Sequence, residues 1–445
     1  MANIIIFLFV LLAILNVTFG AYCNGKPAEG ERINAFPIVD ERLKFRGQIK
    51  NAMHFQAGPE NAIFDVVHVW GTPYEMGFAQ GTLMKKEVVA FVAKTWAYLS
   101  EEMASSFPGD HLSDAMKEFI TQKGIDRALD WTAKVTAPFT SQDIYDEMRG
   151  LSDATGMSYD IILRLNMFPE LSKAACSFLG AWGEAVKKDG YTYHLRCLDY
   201  DVDGPFKDYP QVTVYHPNNG NAFAQVGWPG SVGALTGMNE QAISISEIGV
   251  SYPDDSFGQG TTPNTPPEKV HGQPWMFVLR DVLQYSSNIE EAKDTVTKAN
   301  RTCNLIIGLG SGKDQHVYGT QYSGRVANFY DNTNQMPVND TWHPVVQDTV
   351  YNGMDWLCPG YTQPLGEQLQ KYNGQIDENV IIGNILPTVQ TGNLHIAVFD
   401  DRDQNMHVSF CKRSTADPAE PNYAYERQFT RLHMKEIFAQ KAPQV

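Results

Sequence analysis

Ala175-Cys-Ser-Phe-Leu-Gly-Ala-Trp-Gly183, followed by Asp189-Gly190 and then Tyr191-Thr-Tyr-His-Leu-Arg-Cys-Leu-Asp199, is the stretch on which the fold turns. Apolar runs on either side of an Asp-Gly dipeptide predict a β-hairpin with a two-residue turn. The strands are expected over 176–186 and 191–198. Cys176 heads the first strand after two small residues, Arg196 lies on the second, and Asp199 ends it. A thiol with a guanidinium and a carboxylate returning on its partner strand suits a nucleophile that must be held and aligned. The turn pairs Lys188 with Tyr191, which sets Cys176 opposite Asp203 rather than Asp199. A bulge near Gly180 or Gly183 is therefore expected to absorb the surplus.

A cysteine nucleophile needs a base and a group to stabilise the oxyanion. A histidine could be the base, and His194 lies close to Arg196, but none of the eleven histidines sits in a context that singles it out. The alternative needs no histidine. If the Ala175–Cys176 bond is cut, the freed α-amino group, titrating near pH 7.7–8.0 in peptides, takes the proton from its own thiol. Before the cut that nitrogen is an amide and no base, so the thiol would attack the Ala175 carbonyl and activate itself. Asp199 would accept from the α-ammonium, with Arg196 polarising the thiol region. Residues three apart on a strand face opposite sides, so the two converge only if the strand ends between them. Spacing alone leaves a surface Arg–Asp pair of little energetic weight as the plainer alternative.

The 445 residues, 43% hydrophobic and 19% charged, supply a large core and exceed one average domain. Lys+Arg of 35 against Asp+Glu of 51 gives −16, a surface that repels polyanions and argues against nucleic acid as a partner. Residues 3–20 form a short apolar run ending at Gly20, read as a secretory signal with cleavage after that glycine. A membrane anchor is the alternative, and the run is short for a span. No later stretch is long and apolar enough to cross a bilayer. An exported protein makes Asn300-Arg-Thr and Asn339-Asp-Thr glycan acceptors. It also favours disulfides among Cys23, Cys176, Cys197, Cys303, Cys358 and Cys411, although a free Cys176 leaves another thiol unpaired. No pair has metal-ligand spacing, and neither CxxC nor HExxH occurs, so neither a metal site nor a cofactor is implied.

Residues 21 to about 60 read as mixed and turn-rich. Helices are expected from Tyr74 to Ser100, Asp114 to Lys123, Ser141 to Leu151 and Tyr159 to Asn166, the last stopped by Met167-Phe-Pro169. After Cys176 come short strands, expected at Tyr191–Leu198, Gln211–His216, Ala222–Gly227, Ala242–Ile248, Leu305–Gly308, His316–Gly319, Val326–Tyr330, Leu394–Phe399 and Met406–Cys411, interrupted by two helical stretches near Trp275–Gln284 and Ile289–Ala299. Strand groups separated by helices predict an α+β layered sandwich. Tyr252 to Pro274, rich in Pro and Gly, is either a site-covering loop or a disordered one.

These residues resemble the cysteine N-terminal-nucleophile (Ntn) hydrolases, in particular the acid-ceramidase-like, phospholipase B-like and penicillin acyltransferase-like proenzymes. Cys176 to Gly183, Asp189-Gly190 and Arg196-Cys-Leu-Asp199 resemble the family's nucleophile hairpin. Gly71-Thr-Pro-Tyr-Glu-Met-Gly77-Phe-Ala-Gln-Gly81 resembles the signature of the helical N-terminal segment. Gly237-Met-Asn-Glu240 and Leu394-His-Ile-Ala-Val-Phe-Asp400 are similar to strands shared across the group. The resemblance implies a four-layer αββα sandwich with a helical N-terminal segment, and scission between Ala175 and Cys176. It also implies attack on an acyl carbon of an amide or ester. It makes Cys176 the nucleophile, Arg196 its neighbour, Asp199 the partner of the α-amino group, Asn304 the oxyanion donor and Glu247 a further site carboxylate. An ordinary strand position remains open for Asn304 and Glu247. Cys197 departs from the Asn common after the Arg. The family's distal arginine has no clear counterpart, Arg427 being the one position that could take its place.

The sequence thus predicts a signal at 1–20, a helical chain over 21–175 and a catalytic chain over 176–445 that stay associated after self-cleavage. The expected function is a secreted or lysosomal amidohydrolase of N-acyl, lipid-like small molecules, acting through a Cys176 thioester without a stable membrane anchor. An acyltransferase using the same site, or a non-catalytic secreted binding glycoprotein that keeps the fold, are the alternatives.

Overall fold

The computed structural model describes residues 31–105, 114–171, 175–250, 271–336, 341–355, 360–413 and 421–444. The expected signal at 1–20, Cys23, the Asn339 sequon, Cys358 and most of the Tyr252–Pro274 segment lie outside the described residues.

Three strands precede the first helix: β1 (Lys44–Ile49), β2 (Ala52–Ala57) and β3 (Phe64–Gly71). A helical group follows, with α1 (Pro73–Leu83), α2 (Lys85–Ser105), α3 (Asp114–Thr136), α4 (Gln142–Thr155) and α5 (Tyr159–Leu171). The predicted 74–100 helix is two, broken at Met84. Thr72 and Glu75 start α1 with a reciprocal capping box, and Pro73 occupies its first turn. The expected stop at Pro169 does not hold, since α5 runs on to Leu171. Its last turn is held from outside: the Trp275 indole donates to the Pro169 carbonyl, and the Trp275 amide donates to Glu170.

The signature glycines of α1 are a packing device. A Cβ on Gly77 would meet the Glu147 carbonyl oxygen at 2.0 Å, and one on Gly150 would meet the Tyr74 carbonyl oxygen at 2.2 Å. Only bare backbone lets α1 and α4 lie this close.

The second half supplies β4 (Ala175–Ala181), β5 (Tyr193–Asp199), β6 (Gln211–Pro217), β7 (Phe223–Gly227), β8 (Gly237–Asn239) and β9 (Ile243–Gly249). Then come α6 (Trp275–Tyr285), α7 (Ile289–Lys298), β10 (Leu305–Ser311), β11 (His316–Tyr322), β12 (Ala327–Tyr330), β13 (Thr349–Asn352) and α8 (Gln363–Lys371). A helical run through Glu378–Val380, Ile381–Ile385 and Leu386–Val389 leads to β14 (His395–Asp400) and β15 (Asn405–Phe410). A small ribbon pairs β16 (Lys412–Arg413) with β17 (Pro421–Asn422), and β18 (Thr430–His433) and α9 (Met434–Phe438) close the chain.

These strands make a ten-stranded sheet, ordered β1-β2-β3-β6-β7-β8-β9-β10-β11-β12, and a six-stranded sheet, ordered β13-β4-β5-β14-β15-β18. Val66, Val212 and Val214 of the first meet Ala397, Phe399 and Val408 of the second in a core between the sheets. Helices α6 and α7 cover the outer face of the large sheet. Leu365 and Leu369 of α8, with Ile381, Ile385 and Leu386, cover Leu179 and Leu195 on the outer face of the small one. The result is the expected αββα sandwich. The helical N-terminal segment is not helical throughout, because β1–β3 join the large sheet and β3 pairs in parallel with β6. Among the described residues no helix is long and apolar enough to cross a membrane.

Candidate active site

β4 and β5 pair in one unbroken antiparallel register, from Ala175 opposite Asp199 to Ala181 opposite Tyr193, and Cys176 faces Leu198. The predicted two-residue hairpin and its bulge are thus corrected. The surplus lies outside the strands, where 182–192 includes a short 3-10 turn, Gly183–Ala185, and Gly190 at φ +76°. The Asp189-Gly190 turn itself forms, the Tyr191 amide donating to the Lys188 carbonyl at 3.2 Å, but Val186 pairs with Ile376 instead of extending β4.

Alternation sorts the site residues onto two faces. Cys176 packs in the core that holds Phe178 and Leu198, and Arg196 on that face donates to its sulfur, Nη2 to Sγ 3.6 Å. The same Nη2 lies 3.4 Å from Glu247 Oε2 on β9, while Nη1 is 3.0 Å from His395 Nε2 on β14. Arg196, Glu247 and His395 are all buried. The Arg196 charge is therefore compensated by a carboxylate that itself lies near the thiol, as a buried guanidinium requires. Burial keeps His395 neutral, holding its pKa well below the ordinary histidine value, and the neighbouring guanidinium adds to this. Its Nε2 also meets the Thr236 hydroxyl at 3.2 Å.

Asp199 faces the other way, towards Ser177, because β5 does not end between Arg196 and Asp199. Its Oδ1 accepts from the Gly392 and Asn393 amides at 2.8 and 3.0 Å. Its Oδ2 accepts from Thr391 Oγ1 at 2.7 Å and the Tyr361 hydroxyl at 3.2 Å. Gly392 is required there, since it sits at φ +86° and a Cβ would meet Ile396 Cγ1 at 2.4 Å. Arg196 thus serves the sulfur from one face, and Asp199 approaches from the opposite face at the Ala175 register position. The backbone nitrogen of Cys176 lies in the strand between them.

Desolvation dominates the electrostatics. Burial raises the Cys176 thiol far above its ordinary range; the Arg196 charge opposes this, whereas Glu247 and Asp199 add to it. Burial also raises the Asp199 carboxyl despite its four donors. In the intact chain the sulfur is a neutral thiol.

The other predicted residues fall in different places. Asn304 is buried immediately before β10, the strand that pairs with the Glu247-bearing β9. Arg427 is spent elsewhere, its guanidinium donating to the carbonyls of Phe410 and Asn61. His194 is no base for the thiol. Its ring nitrogens meet Ser244 and Ser246, each at 2.8 Å, and burial lowers its pKa to about 3. Among the described residues no disulfide joins any two of Cys176, Cys197, Cys303 and Cys411, so the expected bridges among these four do not form. Asn300 is exposed. Among the described residues no group of His, Cys, Asp or Glu could hold a metal ion.

His395, Tyr361 and Thr391 were not singled out by the sequence. A histidine at the head of the apolar run Leu394 to Phe399 was the one available signal; nothing local marks Tyr361 or Thr391.

A largely apolar cavity adjoins the site, with about 730 Å³ of space not filled by atoms, part of it open to solvent. Leu198, opposite Cys176, and Glu247 lie in its wall beside Phe206 and Trp228. Leu165 and Phe168 of α5 form another part of it. The N-terminal segment is locked to this region by a buried Arg280–Glu147 pair at 2.5 Å and by Asn166, which bonds Gly230 and Val232.

No family model matches the chain. Protein dcd1A of Dictyostelium discoideum is 31% identical, covering 98% of this chain and 99% of its own length. Protein dcd1B of the same organism is 30% identical over 92% of this chain and 81% of its own. Acid ceramidase of Rattus norvegicus is 26% identical over 185 residues, 38% of this chain and 44% of that protein. Among solved structures, a Caenorhabditis elegans N-acylethanolamine-hydrolyzing acid amidase ortholog aligns at TM-score 0.36 and 18% identity, covering 58% of this chain and 100% of that one.

Proposed function

Because the chain belongs to the family of dcd1A and dcd1B, and with acid ceramidase to the cysteine Ntn hydrolases, we propose that it is a self-processing amidohydrolase of N-acyl, lipid-like molecules. The observation that carries this is the buried Cys176 thiol on Arg196 and Glu247, beside an apolar cavity. In the first stage the sulfur adds to the Ala175 carbonyl. The carbon–nitrogen bond breaks, and the thiol proton passes to the departing nitrogen of Cys176. Water then hydrolyses the thioester, leaving a carboxylate on Ala175 and a free thiol with an α-amino group beside it.

In the second stage that amino group takes the thiol proton, and the sulfur attacks the acyl carbon of the substrate. The proton is delivered to the leaving amine, and water resolves the acyl thioester. Arg196 orients the sulfur, Glu247 holds Arg196, Asp199 receives the α-ammonium and Asn304 donates to the oxyanion. The apolar cavity suits an acyl chain. The Arg280–Glu147 pair and the β3–β6 pairing support two chains, 21–175 and 176–445, that remain together. Export through a leader at 1–20, with glycans on Asn300 and Asn339 and a secreted or lysosomal destination, completes the proposal.

N-terminal analysis of the purified full-length protein tests it. Wild type held at acidic pH should yield a fragment beginning Cys176-Ser-Phe-Leu, while Cys176→Ala should remain one chain with no acyl thioester. An uncut wild-type chain would overturn the mechanism.

A further inference from the structure

Asp199 is saturated before scission. An ionised carboxylate offers about four acceptor sites, and four donor groups already face them, the Tyr361 hydroxyl sharing its single hydrogen between Oδ2 and Thr391 Oγ1. A new α-ammonium at Cys176 would be a fifth, so one donor must leave. The two amides on Oδ1 are fixed by the Gln390–Asn393 turn, where Gln390 and Gly392 both hold positive φ. The donors on Oδ2 are hydroxyls, which rotate. Thr391 also has a second partner on the nucleophile strand, Ser177 Oγ at 2.8 Å, and it lies 3.1 Å from the Tyr361 hydroxyl.

We propose that Thr391 is a positioning residue that holds Asp199 Oδ2 through its hydroxyl in the intact chain and then releases it to the newborn ammonium by turning that hydroxyl to Ser177. The inference rests on the self-cleavage proposed above. It requires no new bond: as Ala175–Cys176 breaks, Oδ2 exchanges a hydroxyl donor for an N–H donor, and Ser177 Oγ takes the displaced hydroxyl. The departing nitrogen becomes a cation that needs an anionic Asp199, so scission requires that carboxyl to be ionised. The titratable or charged groups around it are Cys176 on β4, Arg196 and Cys197 on β5, Tyr361 ahead of α8, and Glu247 on β9 across the Arg196 side. Burial keeps Cys197 and Tyr361 in their neutral forms.

The test follows scission of the full-length chain against pH for wild type, Thr391→Val and Thr391→Ser. Alkylation of Cys176 by iodoacetamide in the cut proteins supplies a second profile. Valine keeps the shape and removes the donor, so the carboxyl of the intact chain protonates more readily. The acid limb of scission in Thr391→Val should move up by about half a pH unit or more, whereas Thr391→Ser should match wild type. Alkylation profiles of the cut proteins should coincide, because the ammonium has by then replaced Thr391 on Oδ2. An unmoved acid limb, a serine variant as impaired as the valine one, or an equal shift in the alkylation profile would each overturn the exchange. An uncut wild type would instead remove the self-cleavage on which it rests.

Discussion

Arg196 makes the surroundings of the Cys176 thiol a balance of opposite charges with little solvent to damp them. The Arg196 guanidinium on β5 lowers the thiol pKa and the Glu247 carboxylate on β9 raises it, both from buried positions. Glu247→Gln removes the opposing charge while keeping the side-chain shape. Cys176 should therefore titrate lower, and its alkylation in the cut protein should be faster at any pH below its titration. Arg196→Gln should act the other way and also destabilise the fold by roughly 3–5 kcal/mol, since it leaves a buried carboxylate unpaired. Alkylation rates across a pH series, with thermal unfolding alongside, check both signs. Cys176 and Arg196 were legible because small residues, a strand and a returning cation mark them in one short stretch. Tyr361, Thr391 and His395 were not, because they meet the site only through pairing of distant segments.

At the level of elements, alternation located most strands beyond Cys176 to within a few residues and helical periodicity located α6 and α7, whereas α8, the helical run from Glu378 to Val389 and α9 went unread. The errors have physical causes. β1 alternates weakly and is largely exposed, so Lys44–Ile49 offered no clear apolar face; β1 and β2 passed as turn-rich chain, and β3 lies in the stretch between residue 60 and Tyr74, to which the sequence assigned no element. The Asp189-Gly190 turn signal was real, but the contact of 186 with Ile376 overrode the strand pairing around it. The glycines of Gly71–Gly81 were legible as a signature, whereas their cause, the backbone-to-backbone approach of α1 and α4, was not. Gly77→Ala should cost roughly 1–3 kcal/mol, since the methyl would strike a carbonyl rather than a side chain that can yield. Gly47→Ala on β1, where a Cβ has no neighbour within 4 Å, is the matched control and should be near neutral. Denaturant titration of both variants separates them.

Across the whole molecule, buried acids and buried histidines set opposing dependences on pH. Burial lowers His68, His194 and His407 to about 3 and His216 to about 4. Their contribution is present above the unfolded value of 6.5 and is lost as pH falls towards those values. Asp400 has the reverse sign: burial raises its carboxyl from 3.8 to about 6. Its contribution is full below the unfolded value and is lost as pH rises through about 6, amounting to about 3 kcal/mol. Asp400→Asn should therefore gain stability relative to wild type at pH 7.5, and that gain should disappear near pH 4. Unfolding free energies measured at both values check this; a difference independent of pH would remove Asp400 as the cause.

The parallel pairing of β3 with β6 gives the proposed cut a direction in time. These neighbours in one sheet would belong to separate polypeptides once the chain opens before Cys176. Their meeting is intramolecular only while the backbone is whole, and afterwards it becomes an encounter between two molecules whose cost depends on dilution. Scission then works as a seal set on a finished fold: the native architecture is inherited from the precursor rather than encoded in either fragment alone.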